Sequence, residues 1–410
     1  MSRSHSAQLK MAGSRDQAAT DGGQLDSLTG MRFLAALLVV LHHTVSNPLA
    51  GARLVSLPAL RSLAAVGYTG VTFFFVLSGF VLAWSWSTGT ARVFFARRFA
   101  RIYPLHLLTW ALSFVLLWQL SWETTPATAV LCLFLLQAWS PNAATAFGQN
   151  AVSWSLSCEA FFYAMFPFLV SGLKRLSSRA VVASLATTVA CLAAVPVIVY
   201  EGFDSRATGR YLHYLPVYRM GEFVVGICLA LLVRRGLRWF PSAGLTTVAA
   251  ALWLGGVAIL NAHARSIVPG SGGAGLPQVA AGLAVLPMVS VWIVAAASAD
   301  LEGRPSVLRS RILRRLGIWS YALYITHLLV LRELELAIGE HVGGNLAGRI
   351  ALELAALGLV IAVSGVVYRF VERPLQRALR RRLHAQRTAP SPGDTAPSPE
   401  SATLSQQAEP

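Results

Sequence analysis

Taken by its hydrophobic and polar positions alone, the chain resolves into eleven apolar runs separated by polar connections: residues 31–47, 66–86, 103–121, 127–139, 154–172, 180–200, 217–233, 242–261, 277–298, 317–337 and 347–370. A helix rises about 1.5 Å per residue, so crossing a hydrocarbon core about 30 Å thick takes about 17 to 25 residues. Every run but 127–139 has that length, and all are helical by length. The pattern predicts an all-α protein, a polytopic bundle of transmembrane helices.

The connections fix the topology. Arginine and lysine gather at Arg92, Arg97, Arg98 and Arg101, then at Lys174, Arg175 and Arg179, then at Arg234, Arg235 and Arg238. They return at Arg304 to Arg315 and again from Arg373 to Arg387. Placing each cluster on the cytoplasmic side requires an even number of crossings between Arg101 and Lys174, where three apolar runs lie. The shortest of them, 127–139, is of the length that is more often re-entrant or internally buried than spanning. Ten spans with both termini cytoplasmic is the expectation, eleven the alternative. Residues 1–30 read as a polar tail, 31–374 as the membrane domain, and 375–410 as a basic then Pro/Ser-rich tail without apolar periodicity.

Composition agrees with the pattern. Of 410 residues 55% are hydrophobic and 13% charged, against about 25% charged in an ordinary soluble domain. The net charge of +16 does not signal nucleic acid, because the cations sit in short loops between apolar runs, as the positive-inside rule places them. Cys132, Cys158, Cys191 and Cys228 lie in apolar runs without CxxC spacing and read as buried reduced thiols, with no metal site.

Candidate chemistry enters where ionisable groups interrupt apolar runs, since a charge at membrane depth is costly and marks function by default. Arg32 and His43 are eleven residues apart, which brings them within roughly 20° of one helix face and about 16 Å apart along the axis. That puts His43 near the bilayer midplane, with a guanidinium on the same wall at the membrane entrance. Arg98 and Arg101, three apart, share a face at the entry of the third run, and arginine forks grip phosphate oxygens bidentately. Glu159, with Tyr163 one turn on, is a buried carboxylate in need of a partner. In the second run Ser78 stands beside Gly70 and Gly79, small residues that let a helix or a ligand approach closely. Arg219 and Glu222 are spaced to pair with each other. His327 is either a second polar cavity residue or an outer-leaflet hydrogen-bonder, and Glu372 reads as a boundary salt bridge with Arg369 or Arg373.

The ordered set of stretches, Arg32 with His43, FFFVLSGFVL, Arg98 and Arg101 before Tyr103-Pro104, WSLSCEAFFYAMFP, SYALYITHLLV and FVERP, resembles the acyltransferase-3 family of integral membrane O-acyltransferases. The likeness runs from about Leu25 to Pro374, without an SGNH-hydrolase-like domain after the last span. One departure is Cys158-Glu159-Ala160, where a second acid often follows the first. The resemblance implies transfer of an acyl group, commonly acetyl, from cytoplasmic acyl-CoA as co-substrate to a hydroxyl, with no permanently bound cofactor and no metal. The acceptor would be a sugar, whether in a cell-surface glycan, a lipid-linked sugar or a macrolide-like molecule, and the setting the inner membrane of a bacterium with its lipid. His43 and Glu159 would be catalytic, Arg32, Arg98 and Arg101 would bind the donor, and Ser78, Trp154, Tyr163 and His327 would line the substrate cavity. The competing class is a transporter or flippase for a lipid-linked glycan, in which the same ionisable residues line a pathway.

Overall fold

Each apolar run forms helix. The computed structural model describes residues 25–46, 58–86, 91–119, 124–202, 205–239, 241–267, 276–338 and 346–378, and among them there is no strand. Helix α1 (Asp26–Ser46) is followed by the short α2 (Pro58–Ala65), then α3 (Gly70–Trp84) and the 29-residue α4 (Ala91–Gln119). Two short helices, α5 (Pro126–Leu133) and α6 (Ala143–Ala146), lead to α7 (Trp154–Arg175) and α8 (Ser178–Gly202). Then come α9 (Ser205–Tyr214), α10 (Pro216–Arg234), α11 (Ala243–Ile267), α12 (Leu276–Leu301), α13 (Arg311–Ile318), α14 (Ser320–Ile338) and α15 (Leu346–Val367). The last runs into a π-helical turn, Tyr368–Glu372.

Among the described residues nine helices are long and apolar enough to cross a membrane. The tenth of the long runs expected to cross is α14, 19 residues long, which carries Arg332, Glu333 and Glu335 toward its end and buries Ala322, Leu323, Ile325 and His327 in the bundle. The 127–139 run does not cross. Its helix α5 has eight residues, about 12 Å of rise, and the chain then folds back through single turns at Gln137–Trp139 and Ala143–Ala146.

The helices α3 and α10 cross at close range. Gly79 sits against the Phe223 carbonyl and Gly226 against the Val76 carbonyl, so that a Cβ at either position would overlap backbone. The two glycines thus set the interaxial distance, as small residues do between membrane helices. Around this crossing Phe75, Phe80, Phe162, Phe166 and Phe223 are fully buried.

The basic connections meet at one end of the bundle. There Arg234 Nη1 donates to the Trp84 carbonyl (2.6 Å) and Arg235 Nη2 to Leu176 O (2.8 Å), satisfying carbonyls left open at helix ends, and Arg304 Nη2 donates to the loop carbonyl of Trp239 (2.8 Å). The same end holds the start of α1, which begins at Asp26 within the stretch expected as tail. Ser27 donates through N and Oγ to the Asp300 carboxylate, each at 2.7 Å, and Asp26 pairs with Arg314 at 3.1 Å. These polar contacts order residues that apolar periodicity could not reveal. At the other terminus the helix continues to Ala378, and residues 379–410 of the expected tail lie outside the described residues, as do residues 1–24. Cys132, Cys158 and Cys228 are buried free thiols, but Cys191 is exposed, because its helix α8 presents one whole flank outward.

Candidate functional site

Near the basic end, α1, α3, α4, α7 and α14 enclose a cavity of about 80 Å³. Arg32, Arg98, Arg101, Ser78, Glu159 and Tyr163 all line it, from four different helices. Six residues predicted from sequence are therefore brought to one place.

Within this cavity Tyr163 OH donates to Glu159 Oε2 at 2.9 Å, the two residues lying one turn apart on α7. Ser78 lines the cavity beside them, and the Arg98 guanidinium lies 6.0 Å above the Tyr163 ring and 5.9 Å from that of Phe94. The Nε atoms of Arg32 and Arg98 are buried and have no partner within the chain. No ion pair among the described residues joins the three arginines to Glu159. Guanidinium donors held apart from carboxylates in a buried slot are free to take an anionic group.

One residue of the cluster was expected elsewhere. Glu372 forms no boundary salt bridge with Arg369 or Arg373; it is buried, accepts from Gln376 Nε2 at 3.0 Å, and faces the charges of Arg101 and Arg32. The cause is the π-helical turn at Tyr368–Glu372, which adds a residue to the turn and swings the carboxylate inward. Arg369 instead lies over the Phe370 ring. Tyr321 and Tyr324, which the sequence reading passed over, line the same cavity. Trp154 does not line it; its ring packs on Phe75 and His213, with the Arg219 guanidinium 6.0 Å away.

His43 does not line the cavity; it pairs with His327, which packs on Tyr324 in the cavity wall. Tyr324 OH is 2.7 Å from Ser155 Oγ and donates to Val152 O at 3.1 Å, and its ring is 6.0 Å from that of His327. The His327 and His43 rings are 4.9 Å apart.

The hydrogen bonds of the pair define its tautomers. His327 Nδ1 faces two carbonyl oxygens, Tyr324 O at 2.7 Å and Leu323 O at 3.2 Å, so it carries the proton and Nε2 is an acceptor. His43 Nδ1 faces that Nε2 at 3.2 Å and Val39 O at 2.9 Å. Surrounded by acceptors, His43 Nδ1 is the protonated nitrogen, which leaves the lone pair on Nε2. The arrangement presents one imidazole as a base with its second nitrogen fixed by an electron-pair donor. Neither imidazole contacts Glu159.

A second polar chain runs the other way. His42, edge-on to His43, has its Nδ1 3.0 Å from Ala64 O and packs on Tyr68, which packs on His213. Burial, with Arg219 and His42 nearby, pulls the His213 imidazole down to about 3, so it stays neutral. Arg219 and Glu222 pair as their spacing requires, at 2.9 Å and almost wholly buried, with Thr72 donating to Glu222 Oε1 at 3.1 Å. Among the described residues no three His, Cys, Asp or Glu side chains are grouped to hold a metal ion.

Comparison with known proteins places these features in a family. A family model described as an acyltransferase domain matches residues 25–369. The chain is 35% identical over 393 residues to "Acyltransferase MdmB" of Streptomyces mycarofaciens, covering 91% of this chain and 97% of that protein. It is 25% identical over 398 residues to "Putative peptidoglycan O-acetyltransferase YrhL" of Bacillus subtilis (strain 168), covering 88% of this chain and 57% of that one. No solved structure gives a significant match.

Proposed function

The chain belongs to this acyltransferase family, and from that premise we propose that it moves an acetyl group from cytoplasmic acetyl-CoA to a hydroxyl of a sugar, with His43 as general base. The observation that carries the reading is the position of the His43–His327 pair, one tyrosine away from a cavity holding three arginines.

The arginine cavity is the donor site. Its basic end faces the cytoplasm by the positive-inside rule, and Arg32 and Arg98 offer unspent Nε–H donors, with the Arg101 guanidinium beside them, to the phosphates of CoA. The Tyr163 ring packs against Arg98, and the nearby Glu159 carboxylate limits repulsion among the cations. A cavity of about 80 Å³ is too small for a nucleotide, so the pantetheine arm enters and the nucleotide stays at the mouth. From Arg32 to His43 is about 16 Å along α1, comparable to that arm when extended.

At the far end of the arm, His43 Nε2 takes the proton of the acceptor hydroxyl as its oxygen attacks the thioester carbon. The C–S bond then breaks, and the imidazolium returns the proton to the departing CoA sulfur, so base and acid are one group. During the step the positive charge on His43 is stabilised through Nδ1–H by the His327 Nε2 lone pair and the Val39 carbonyl. Direct transfer needs no acyl-enzyme, and Cys158, the thiol nearest Glu159 in sequence, donates to Tyr214 O at 3.4 Å instead of facing the cavity.

The test is stoichiometric. Full-length protein in lipid nanodiscs, given acetyl-CoA and a sugar acceptor, should release one CoA thiol per acetyl ester formed, and His43→Ala should release none while remaining inserted. Translocation of a lipid-linked sugar without thiol release identifies a carrier and ends the enzyme reading.

A further inference from the structure

A second cavity lies across the histidine pair from the first. Its volume is about 650 Å³, within the range of small-molecule sites. Three elements line both cavities in the same order. On α4, Arg98 and Arg101 belong to the first and Leu116 to the second. On α14, Ser320 and Tyr324 belong to the first, and Leu328 and Arg332 to the second. Along the segment entering α7 the order is again kept, with Ser155 and Glu159 in the first and Gln149 and Asn150 in the second. From Tyr324 to Leu328 is about 6 Å of helix rise, and His327 stands in that interval.

The lining is polar and partly unsatisfied. Asn150, 2% exposed, uses Nδ2 on Ile325 O at 2.8 Å and leaves Oδ1 without a partner. Gln149, 9% exposed, accepts from Ser113 Oγ at 2.6 Å and leaves Nε2 without one, on a backbone held at φ 55°. Thr124 Oγ1 is likewise buried and unpartnered. Buried polar atoms without partners are costly, and a cavity walled by residues that keep a donor, an acceptor and a hydroxyl unsatisfied just beneath its surface suits a ligand carrying several hydroxyls. The contrast is the groove between α1, α11 and α12, lined by Leu34, Leu38, Trp253 and Trp292, which suits an acyl chain.

We infer that this second cavity is the acceptor site, binding a polyhydroxylated sugar through Gln149, Asn150 and Thr124 and presenting one hydroxyl to His43 from the side opposite the acyl donor. The inference rests on the acyl transfer proposed above. Arg332, which pairs with Glu335 at 2.8 Å, also lines the cavity.

The experiment uses the full chain in nanodiscs with acetyl-CoA and methyl α-D-glucopyranoside as the acceptor probe, together with Ala144→Trp, Gln149→Glu and Ala144→Cys. Ala144 is exposed and lines the cavity, so tryptophan there fills space without entering the core. Gln149→Glu keeps the acceptor for Ser113 and removes the donor. Both variants should raise the KM for the glycoside at least tenfold and leave that for acetyl-CoA within twofold. Maleimide labelling of Ala144→Cys should slow when the glycoside is present. Unchanged glycoside KM in both variants overturns the assignment. If no acetyl glycoside forms in the wild type, protection of the cysteine still supports the site and the failure belongs to the proposed chemistry; absence of both product and protection overturns the site.

Discussion

His327 Nε2 meets His43 Nδ1 at 3.2 Å, and this contact makes two imidazoles unequal. His327 spends its proton on the carbonyls of its own helix, so it can only accept, and His43 is left with its lone pair on the other nitrogen. If His43 is the base, its replacement by Ala should lower acyl transfer by the 10²- to 10⁴-fold that a positioned base contributes. CoA thiol release in nanodiscs measures this, and turnover within tenfold of wild type would move the base elsewhere.

His327 acts through His43. His327→Gln keeps an oxygen acceptor within reach, whereas His327→Leu removes it. The leucine variant should lose at least tenfold in kcat with an unchanged KM for acetyl-CoA, and the glutamine variant should recover most of that loss. In a His43→Ala background neither change should matter further, because groups working as a unit are not additive. Equal losses in the two variants would reduce His327 to a space-filling role.

In the arginine cavity the expected signature is in binding. Arg98 lies over the Tyr163 ring and lines the slot, so Arg98→Ala should raise the KM for acetyl-CoA about tenfold or more and change kcat much less. Arg101→Lys should be nearly as harmful as Arg101→Ala, since a lysine cannot make the planar two-point contact with phosphate. Donor KM values that stay within twofold would place the phosphates outside this cavity.

How much of this was legible in the sequence depended on the reach of the signal. Helix periodicity found each long helix, and the eleven-residue step set Arg32 and His43 on one wall. Loop charge and length together picked out 127–139 as the run that does not cross, and α5 shows why: it stops after eight residues. Spacing alone paired Arg219 with Glu222, because a three-residue step is a local quantity. What escaped depended on contacts distant in sequence or on an irregular turn. Nothing along FVERP announces a π-helical turn, so Glu372 was assigned to the membrane boundary and not to the arginines. His327 could be named but its role could not, because the meaning of its imidazole lies in His43, 284 residues away. Asp26 to Gly30 looked like tail because the capping partner of Ser27 is Asp300.

The α3–α10 crossing should be intolerant of side chains. Since a Cβ at Gly226 overlaps the Val76 carbonyl and one at Gly79 overlaps that of Phe223, Gly226→Leu must separate the helices. Overpacking of this kind costs roughly 1–3 kcal/mol or more, which thermal unfolding in detergent should register as a clear fall in Tm. By contrast Gly256, with open space where its Cβ would go, should accept alanine with no loss. A Gly226→Leu protein as stable as wild type would mean that the crossing is not held by these glycines.

The Arg219–Glu222 pair separates structural from catalytic charge in this membrane domain. Both side chains are buried, Thr72 bonds to each, and the guanidinium lies 5.1 Å over the Phe75 ring. Neither residue lines the donor cavity or touches the histidine pair. Removing one partner leaves the other as an uncompensated buried charge, a loss of about 3–5 kcal/mol, while removing both leaves an apolar site that can be close to neutral. Glu222→Gln or Arg219→Met alone should therefore lower Tm strongly, and Arg219→Met with Glu222→Leu should restore much of it together with acetyl-CoA turnover. If the double variant is stable but inactive, the pair belongs to the reaction after all, and the boundary drawn here between scaffold and site lies one helix too close to His43.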